Sequence, residues 1–460
     1  MLIRKDVLNL TLPIIAEQAF VMFMGVINTI MASRLGKEAV SAIGMVDSIN
    51  NIFIAFFSAL AVGGTVVVAQ YIGQRSVKYA NESAKQAVYS GTLLSLAITI
   101  IMWVFRKYIV MLLFGAAEQS VLNNANIYIT ITLMTYPFIS LQLVASGVLR
   151  GAGDTKTPMK VTIMMNGLNV VFSYILIYGL HIKILFLHVF LEGLGVRGAA
   201  LGIATARIIG AITITLVLIR GSKIIKLTQL HRFKLNTTLL KSIFNIGIPA
   251  SVESLLFNGG KLITQVYIVD MGTVSIAANY IAGSITGMLN IPGSAMSIAA
   301  TTIVGQDMGK GDSNDAKNSM WYLTNLSTAC LATLGALSFP LSRVLASLYT
   351  QNSEIIALTS SLLKWYALWM PVWPWAFVLP AGLKGAGDVK YTMVTSIIGM
   401  WAFRITMGYI LGIPLKMGVV GVWLGMFTDW LVRGFLYYKR LQSGKWKEHT
   451  VVQKNSPLNL

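Results

Sequence analysis

The sequence predicts an all-α integral membrane protein with twelve transmembrane helices in two six-helix, pseudo-symmetric lobes. Three observations carry this. Hydrophobic residues fill 55% of the 460 positions and charged ones only 12%, against about 25% charged in a soluble protein. Twelve runs are long and apolar enough to cross a bilayer, which takes about 20 residues each. The chain also repeats itself at an offset of about 235 residues.

The runs fall at 8–31, 43–70, 85–105, 122–148, 158–180 and 197–219 in the first half, and at 243–269, 277–304, 319–341, 357–382, 391–413 and 416–438 in the second. Several exceed 20 residues, so tilt or kinks are expected. The first run follows Arg4 and Lys5, is too long for a signal-peptide core and shows no cleavage site, so it reads as a spanning helix. With the N-terminus in the cytoplasm, that side of the membrane holds about 23 Lys and Arg and the other side about 8. This bias places both termini in the cytoplasm of a cell with its cytoplasmic membrane as the site of residence. The expected organisation is a first lobe at 1–219, a basic cytoplasmic linker at 220–241, a second lobe at 242–440 and a cytoplasmic tail at 441–460. The linker is expected to set orientation and to lie along the anionic inner leaflet.

Several function classes drop out. A net charge of +19 would suggest nucleic acid in a soluble chain, but here the cations sit in short loops and act as topology signals. The single cysteine, Cys330, allows no internal disulfide and no thiol metal site. His181, His188, His231 and His449 are scattered, none near a second ligand at metal spacing. The closest approach to a P-loop, Gly305 to Lys310, is one residue short, and Gly311 follows where Ser or Thr is needed. No ATP-driven pump, enzyme, cofactor or nucleic-acid partner is expected. A monomer in a lipid bilayer, acting on a small organic molecule, is.

The repeat is the strongest organisational signal. Leu149-Arg150-Gly151-Ala152-Gly153-Asp154 returns as Leu383-Lys384-Gly385-Ala386-Gly387-Asp388. Pro13 and Glu17 return as Pro249 and Glu253, Leu35-Gly36 as Met271-Gly272, and Gln70 as Gln306. Six helices separate the copies, an even number, so both halves insert with one orientation and relate by an axis along the membrane normal. A cavity at their interface follows. Two like halves that rock about a shared site suit a transporter better than a receptor. The Gly-Ala-Gly-Asp turns need no ligand: Gly151 and Gly153 are expected to take left-handed conformations, with Thr157 capping helix five and Pro158 in its first turn.

These residues, taken with others in order, resemble the multidrug and toxic compound extrusion (MATE) transporters over nearly the whole chain. The resemblance rests on Met31-Ala32-Ser33-Arg34-Leu35-Gly36, the doubled Leu-(Arg/Lys)-Gly-Ala-Gly-Asp, Asn166-Gly167-Leu168-Asn169, Gly195-Val196-Arg197-Gly198-Ala199-Ala200, Gly418-Val419-Val420-Gly421-Val422-Trp423, and Arg404 in helix eleven. It implies a twelve-helix antiporter with a V-shaped cavity, exporting organic, mostly cationic compounds in exchange for Na⁺ or H⁺. The departures bear on coupling. Where many members carry an Asp in helix one this chain has Asn28, and the positions of three other family carboxylates hold Phe257, Trp373 and Ser173. Coupling must use other groups, or the ion site is built differently.

An ionisable side chain inside a span costs at least about 2.5–3.5 kcal/mol at mid-depth, so each is a functional candidate. Glu17 lies about 13 Å into helix one at 1.5 Å per residue, and Glu253 occupies the matching place in helix seven. Each follows a proline by four residues, and the proline frees the carbonyl four positions before it. A carboxylate beside a free carbonyl can hold Na⁺ or carry a proton. The plainer alternative is a hydrogen-bonded Glu joining two helices. Asp47, Asn50 and Asn51 share a helical face at i, i+3 and i+4, and with Asn28 are candidates to line the first lobe's cavity, as are Asn166 and Asn169. Lys261 is too far along helix seven to pair with Glu253 and needs another partner. Asp429 and Arg433, four apart, read as a structural pair, and Arg207 and Arg404 as packing residues, Arg404 with the further option of anchoring a carboxylate. In helix ten, Pro371, Pro374 and Pro380 should break or bend the helix. Trp373 and Trp375 there are substrate-cavity candidates, because indole faces attract organic cations. The alternative function is a flippase for a lipid-linked saccharide, whose cavity would present several cations to a pyrophosphate.

Overall fold

The computed structural model describes residues 5–115, 117–184, 187–222, 224–228 and 234–452. Ten helices have the length and composition to cross a membrane, and two bent helix pairs raise the number of spans to twelve. In the first half they are α1 (Lys5–Ser33), α2 (Lys37–Gly73), α3 (Val77–Phe114), α4 (Gln119–Leu133 and Tyr136–Gly151), α5 (Lys156–Tyr178) and α6 (Val196–Arg220). In the second they are α7 (Thr237–Val269), α8 (Thr273–Leu289 and Ile291–Lys310), α9 (Ser313–Ser347), α10 (Ser353–Ala386), α11 (Val389–Gly412) and α12 (Gly418–Ser443).

Proline sets the breaks. The bend of 48° in α4 falls at Thr135 to Pro137, and that of 51° in α8 at Asn290 to Pro292. In α10 a 3₁₀ turn over Met370–Val372 contains Pro371. Each proline lacks an N–H for the ladder and clashes with the preceding turn, so the chain restarts a helix there. In α11 the ladder instead widens to a π-helical stretch, Gly399–Ile405, which carries Arg404.

Two features depart from the sequence reading. A hairpin of β1 (Gly179–Ile184) and β2 (Leu187–Glu192), antiparallel with Gly179 opposite Glu192, joins α5 to α6. It falls between the fifth and sixth apolar runs, where hydropathy assigns no element. At the Gly-Ala-Gly-Asp turn only Gly153 is left-handed (φ 86°), matched by Gly387 (φ 101°). Gly151 is the last residue of α4, where a Cβ would strike the carbonyl oxygen of Thr65. The cap of α5 is likewise Asp154 rather than Thr157: its carboxylate accepts from the Thr157 N–H at 3.1 Å and hydroxyl at 2.7 Å.

The two lobes meet at the end that carries both termini. There α2 packs on α7 and on the second half of α8. The core of the first lobe (Val66, Val148, Ile214) runs on into Ile243, Ile246 and Ala250 of α7. The second lobe has its own cores, around Ile285, Leu331 and Val422 and around Val304, Leu383 and Tyr437. Toward the opposite end the lobes part. An apolar gap of about 630 Å³ lies between Met22, Phe23 and Ile30 of α1 and Tyr280, Met288 and Tyr349 of the second lobe.

The segment between α6 and α7 is tied to α3. Asn81 accepts from the Lys226 N–H at 3.0 Å, while Gln86 accepts from the Asn236 N–H at 3.1 Å and donates to the Lys234 carbonyl at 2.7 Å. Ile225 and Leu227 are buried in the first lobe's core.

Candidate functional site

The closed end is built from the repeat itself. Gln70 of α2 donates to the Gly385 carbonyl at 3.1 Å, and Gln306 of α8 donates to the Gly151 carbonyl at 3.0 Å. Each repeated glutamine thus bonds the glycine turn of the other lobe, a crossed pair across the seam. The backbones approach closely enough that a Cβ on Gly73 would strike the Gln306 carbonyl, and one on Gly309 the Gln70 carbonyl. The C-terminal segment adds a third tie: the Val451 N–H donates to Gln70 Oε1 at 3.1 Å, and Trp446, fully buried, anchors that segment to Leu441.

The repeated glutamates also find matching partners. Arg150 donates to both oxygens of Glu17 at 2.7 and 2.8 Å, and Lys384 lies 2.9 and 2.8 Å from the two oxygens of Glu253. Arg150 and Lys384 are themselves repeat mates, so each lobe ties its first helix to its own glycine turn by the same ion pair. The two differ in surroundings. Glu17 also accepts from Thr162 at 2.9 Å, and the carbonyl of Asn9 that Pro13 releases accepts from Thr155 at 3.4 Å. Glu253 lines a chamber of about 380 Å³ that extends from the seam into the second lobe, past Lys384 and Phe257 to Lys261.

A second chamber of about 490 Å³ continues from it, sharing Phe257, Lys261 and Phe377, with Trp373, Tyr366, Trp423, Trp430, Asn290 and Arg404 in its wall. Lys261 sits over the Phe257 ring at 5.1 Å. Arg433 lies over Phe257 at 5.1 Å and over Phe377 at 4.7 Å. Arg433 is held by Asp429 through two bonds of 2.6 and 2.8 Å, the structural pair the spacing suggests. Among the described residues Lys261 and Arg404 make no ion pair and no side-chain hydrogen bond. Trp375 turns away from the chamber, edge-on to Trp321 and Tyr438, because residues two apart on a helix are about 200° apart around its axis, on nearly opposite faces. Its expected place in the cavity wall is therefore corrected, whereas Trp373 is in the wall.

In the first lobe, Asp47 accepts from Asn50 at 3.2 Å and from Tyr128 at 3.2 Å, and Tyr136 donates to Asn50 at 3.0 Å. Asn51 is exposed and outside this network, so the expected three-residue cluster is a pair with two tyrosines. Asn166 bonds its own helix at the Thr162 carbonyl (2.9 Å), and Asn169 accepts from Ser173 at 3.0 Å. Asn28 is half-buried and makes no side-chain hydrogen bond among the described residues. None of these lines the two chambers. Arg207 donates to Thr135 Oγ1 at 2.7 Å, at the break of α4. The tyrosines and the Gln70–Gln306 exchange carry no charge and no spacing signal, and sequence reasoning assigned neither a role in the site.

Comparison with known proteins fixes the family. The MatE family model matches this chain twice, at residues 13–175 and again at 249–410, one match to each half. The chain belongs to the MATE family of efflux transporters. The MATE chain is 30% identical to an uncharacterized transporter, YisQ, of Bacillus subtilis (strain 168), covering 95% of this chain and 94% of that one. It is 26% identical to a probable multidrug resistance protein, NorM, of Thermotoga maritima, covering 98% and 95% respectively. Its fold is similar to that of a MATE family multidrug resistance transporter solved in an outward-facing conformation, with a TM-score of 0.86 at 22% identity over 96% of both chains. The two family matches correspond to the sequence repeat, and each contains one Pro–Glu pair of the matched helices α1 and α7.

Proposed function

We propose that this MATE protein is a secondary antiporter that exports small organic molecules in exchange for H⁺ or Na⁺ by alternating access. The observation that carries the reading is the seam: two repeated lobes, zipped at the terminal end by crossed glutamine bonds and parted at the other. With both termini cytoplasmic, as the Lys and Arg bias favours, this is the state open to the outside of the cytoplasmic membrane. The lobes, residues 1–219 and 242–440, rock as units joined by the segment 220–241, and the tail from 441 stays on the cytoplasmic side. One chain contains both lobes and the chambers, so a monomer suffices.

Among the candidate coupling groups, Glu253 is favoured over Glu17, Asp47 and Asn28. Among the described residues it is the carboxylate that lines either chamber, and its ion-pair partner, Lys384, comes from α10. A proton or Na⁺ at Glu253 weakens the α7–α10 tie, and by linkage any ion that prefers one lobe arrangement changes substrate affinity in it. The family resemblance implies mostly cationic substrates, and an organic cation is therefore the first probe of transport. The test is efflux of ethidium from proteoliposomes under separately imposed pH and Na⁺ gradients. Efflux driven by one gradient and lost in Glu253→Gln, but kept in Asp47→Asn, supports the reading. Gradient-driven efflux unchanged in Glu253→Gln contradicts the assignment of the carboxylate, and no efflux under either gradient contradicts antiport of such cations.

A further inference from the structure

We infer that the chamber of the second lobe binds an organic anion: a carboxylate or phosphate carried on an apolar body, received by Lys261 and Arg404. The argument starts from charge. The two joined chambers present Lys261, Lys384, Arg404 and Arg433. Lys384 is neutralised by Glu253 and Arg433 by Asp429, both within 2.9 Å. Lys261 and Arg404 remain without an ion pair among the described residues; Asp429 also favours the charge of Arg404, so one carboxylate serves two arginines and the chambers keep an excess of positive charge. Cations inside a membrane protein either pair with protein groups or face a water-filled path where a ligand supplies the opposite charge. Here they share one chamber of about 490 Å³, a size that holds a small organic ligand.

The aromatic walls do not reverse this. An organic cation is attracted by ring faces within about 6 Å. Yet the rings nearest the unpaired lysine already carry the protein's own cations: Lys261 and Arg433 each lie 5.1 Å from the Phe257 centroid, and Phe377 carries Arg433 at 4.7 Å while stacking on Trp373 at 4.5 Å. An incoming cation would have to displace the protein's own cations and then sit beside two unpaired ones. An anion meets two donors, with the indole and phenyl surfaces packing its apolar part. Arg404 is suited to take two oxygens at once through its planar fork, and Lys261 a third contact.

This inference deepens the transport reading and names a class of substrate for it, but its test does not depend on transport. Binding of 1-naphthyl phosphate and 2-naphthoate to the purified full chain in zwitterionic nanodiscs is followed by tryptophan fluorescence, beside the matched cation 2-naphthyltrimethylammonium. The anions should bind at least about tenfold more tightly than the cation, and more weakly as salt rises. Lys261→Gln and Arg404→Gln should each weaken anion binding by about tenfold or more, the loss of one charge-assisted contact. Lys261→Arg should keep it, which guards against a folding defect, and Lys261→Glu should turn the preference toward the cation. A short-chain phosphatidate added as competitor tells the source: stronger competition than free naphthyl phosphate assigns a lipid headgroup, weaker competition a soluble anion, and either supports the site. Equal or tighter binding of the cation, no anion binding, or wild-type affinity in both glutamine variants overturns it. Anion binding without gradient-driven efflux would leave this site standing and remove the antiport reading; efflux without anion preference would do the reverse.

Discussion

Arg150 and Lys384 decide what the two repeated glutamates are able to do. Glu17 is enclosed by Arg150 and Thr162 and is 4% exposed, so removing its partner leaves a buried charge uncompensated. Breaking such a pair costs about 3–5 kcal/mol. Arg150→Met should therefore lower the thermal stability of the detergent-solubilised protein strongly, and Glu17→Gln in the same background should recover part of the loss. Lys384→Met should cost less, since Glu253 faces a chamber that water can enter. The two melting curves, taken side by side, check the difference. Sequence alone placed both glutamates at mid-depth and paired them as repeats, yet it could not see their partners. Glu17 and Arg150 are 133 residues apart, and only the fold, with α1 packed on α5 next to the glycine turn, brings them together. The same holds for Trp375, which shares a helix with Trp373 but points to another neighbour.

At the level of elements, hydropathy found all twelve spans because each must fill a bilayer, but it missed what happens at their ends. The polar first turns of α2, α3 and α9 lie outside any apolar window, and the β1–β2 hairpin falls between the fifth and sixth runs, where hydropathy assigns no element. Proline was legible as a break in α10, and the structure places a 3₁₀ turn there. The close approach of α2 and α8 was not legible, since it depends on Gly73 and Gly309 facing the other lobe's backbone. That contact makes a prediction. Gly309→Leu has no room in the closed seam but can be accommodated once the lobes part there. The variant should insert normally, and a cysteine placed at Ala69, buried against Gly305 in the seam, should label faster with a water-soluble maleimide than in the parent. An unchanged labelling rate would show that the seam does not depend on this approach.

For the whole molecule, the crossed Gln70 and Gln306 bonds act as a latch between the lobes, beside the apolar contact of the first lobe's core with Ile243, Ile246 and Ala250. Each neutral bond is worth about 1 kcal/mol. Gln70→Ala with Gln306→Ala removes three such bonds, the two crossed ones and that from the Val451 N–H, and should therefore shift the conformational balance by about 3 kcal/mol, with little change in the stability of either lobe. The C-terminal segment shares the latch through Val451, so truncation after Ser443 should shift the balance in the same direction, read by the same labelling assay. The repeat made the two lobes predictable; the exchange of partners between them was not, because a repeat fixes what is equivalent and leaves open what touches. The most direct test of the alternating lobes is a pair of distance measurements by electron spin resonance in nanodiscs. One spin-label pair spans the terminal end, at Arg75 and Asn314, and the other spans the far end, at Thr29 and Tyr280. With the imposed pH or Na⁺ change the two distances should move in opposite directions, one lengthening as the other shortens, and Gln70→Ala with Gln306→Ala should lengthen the terminal one from the start. Distances that stay fixed under both gradients, or that lengthen together, would contradict the account.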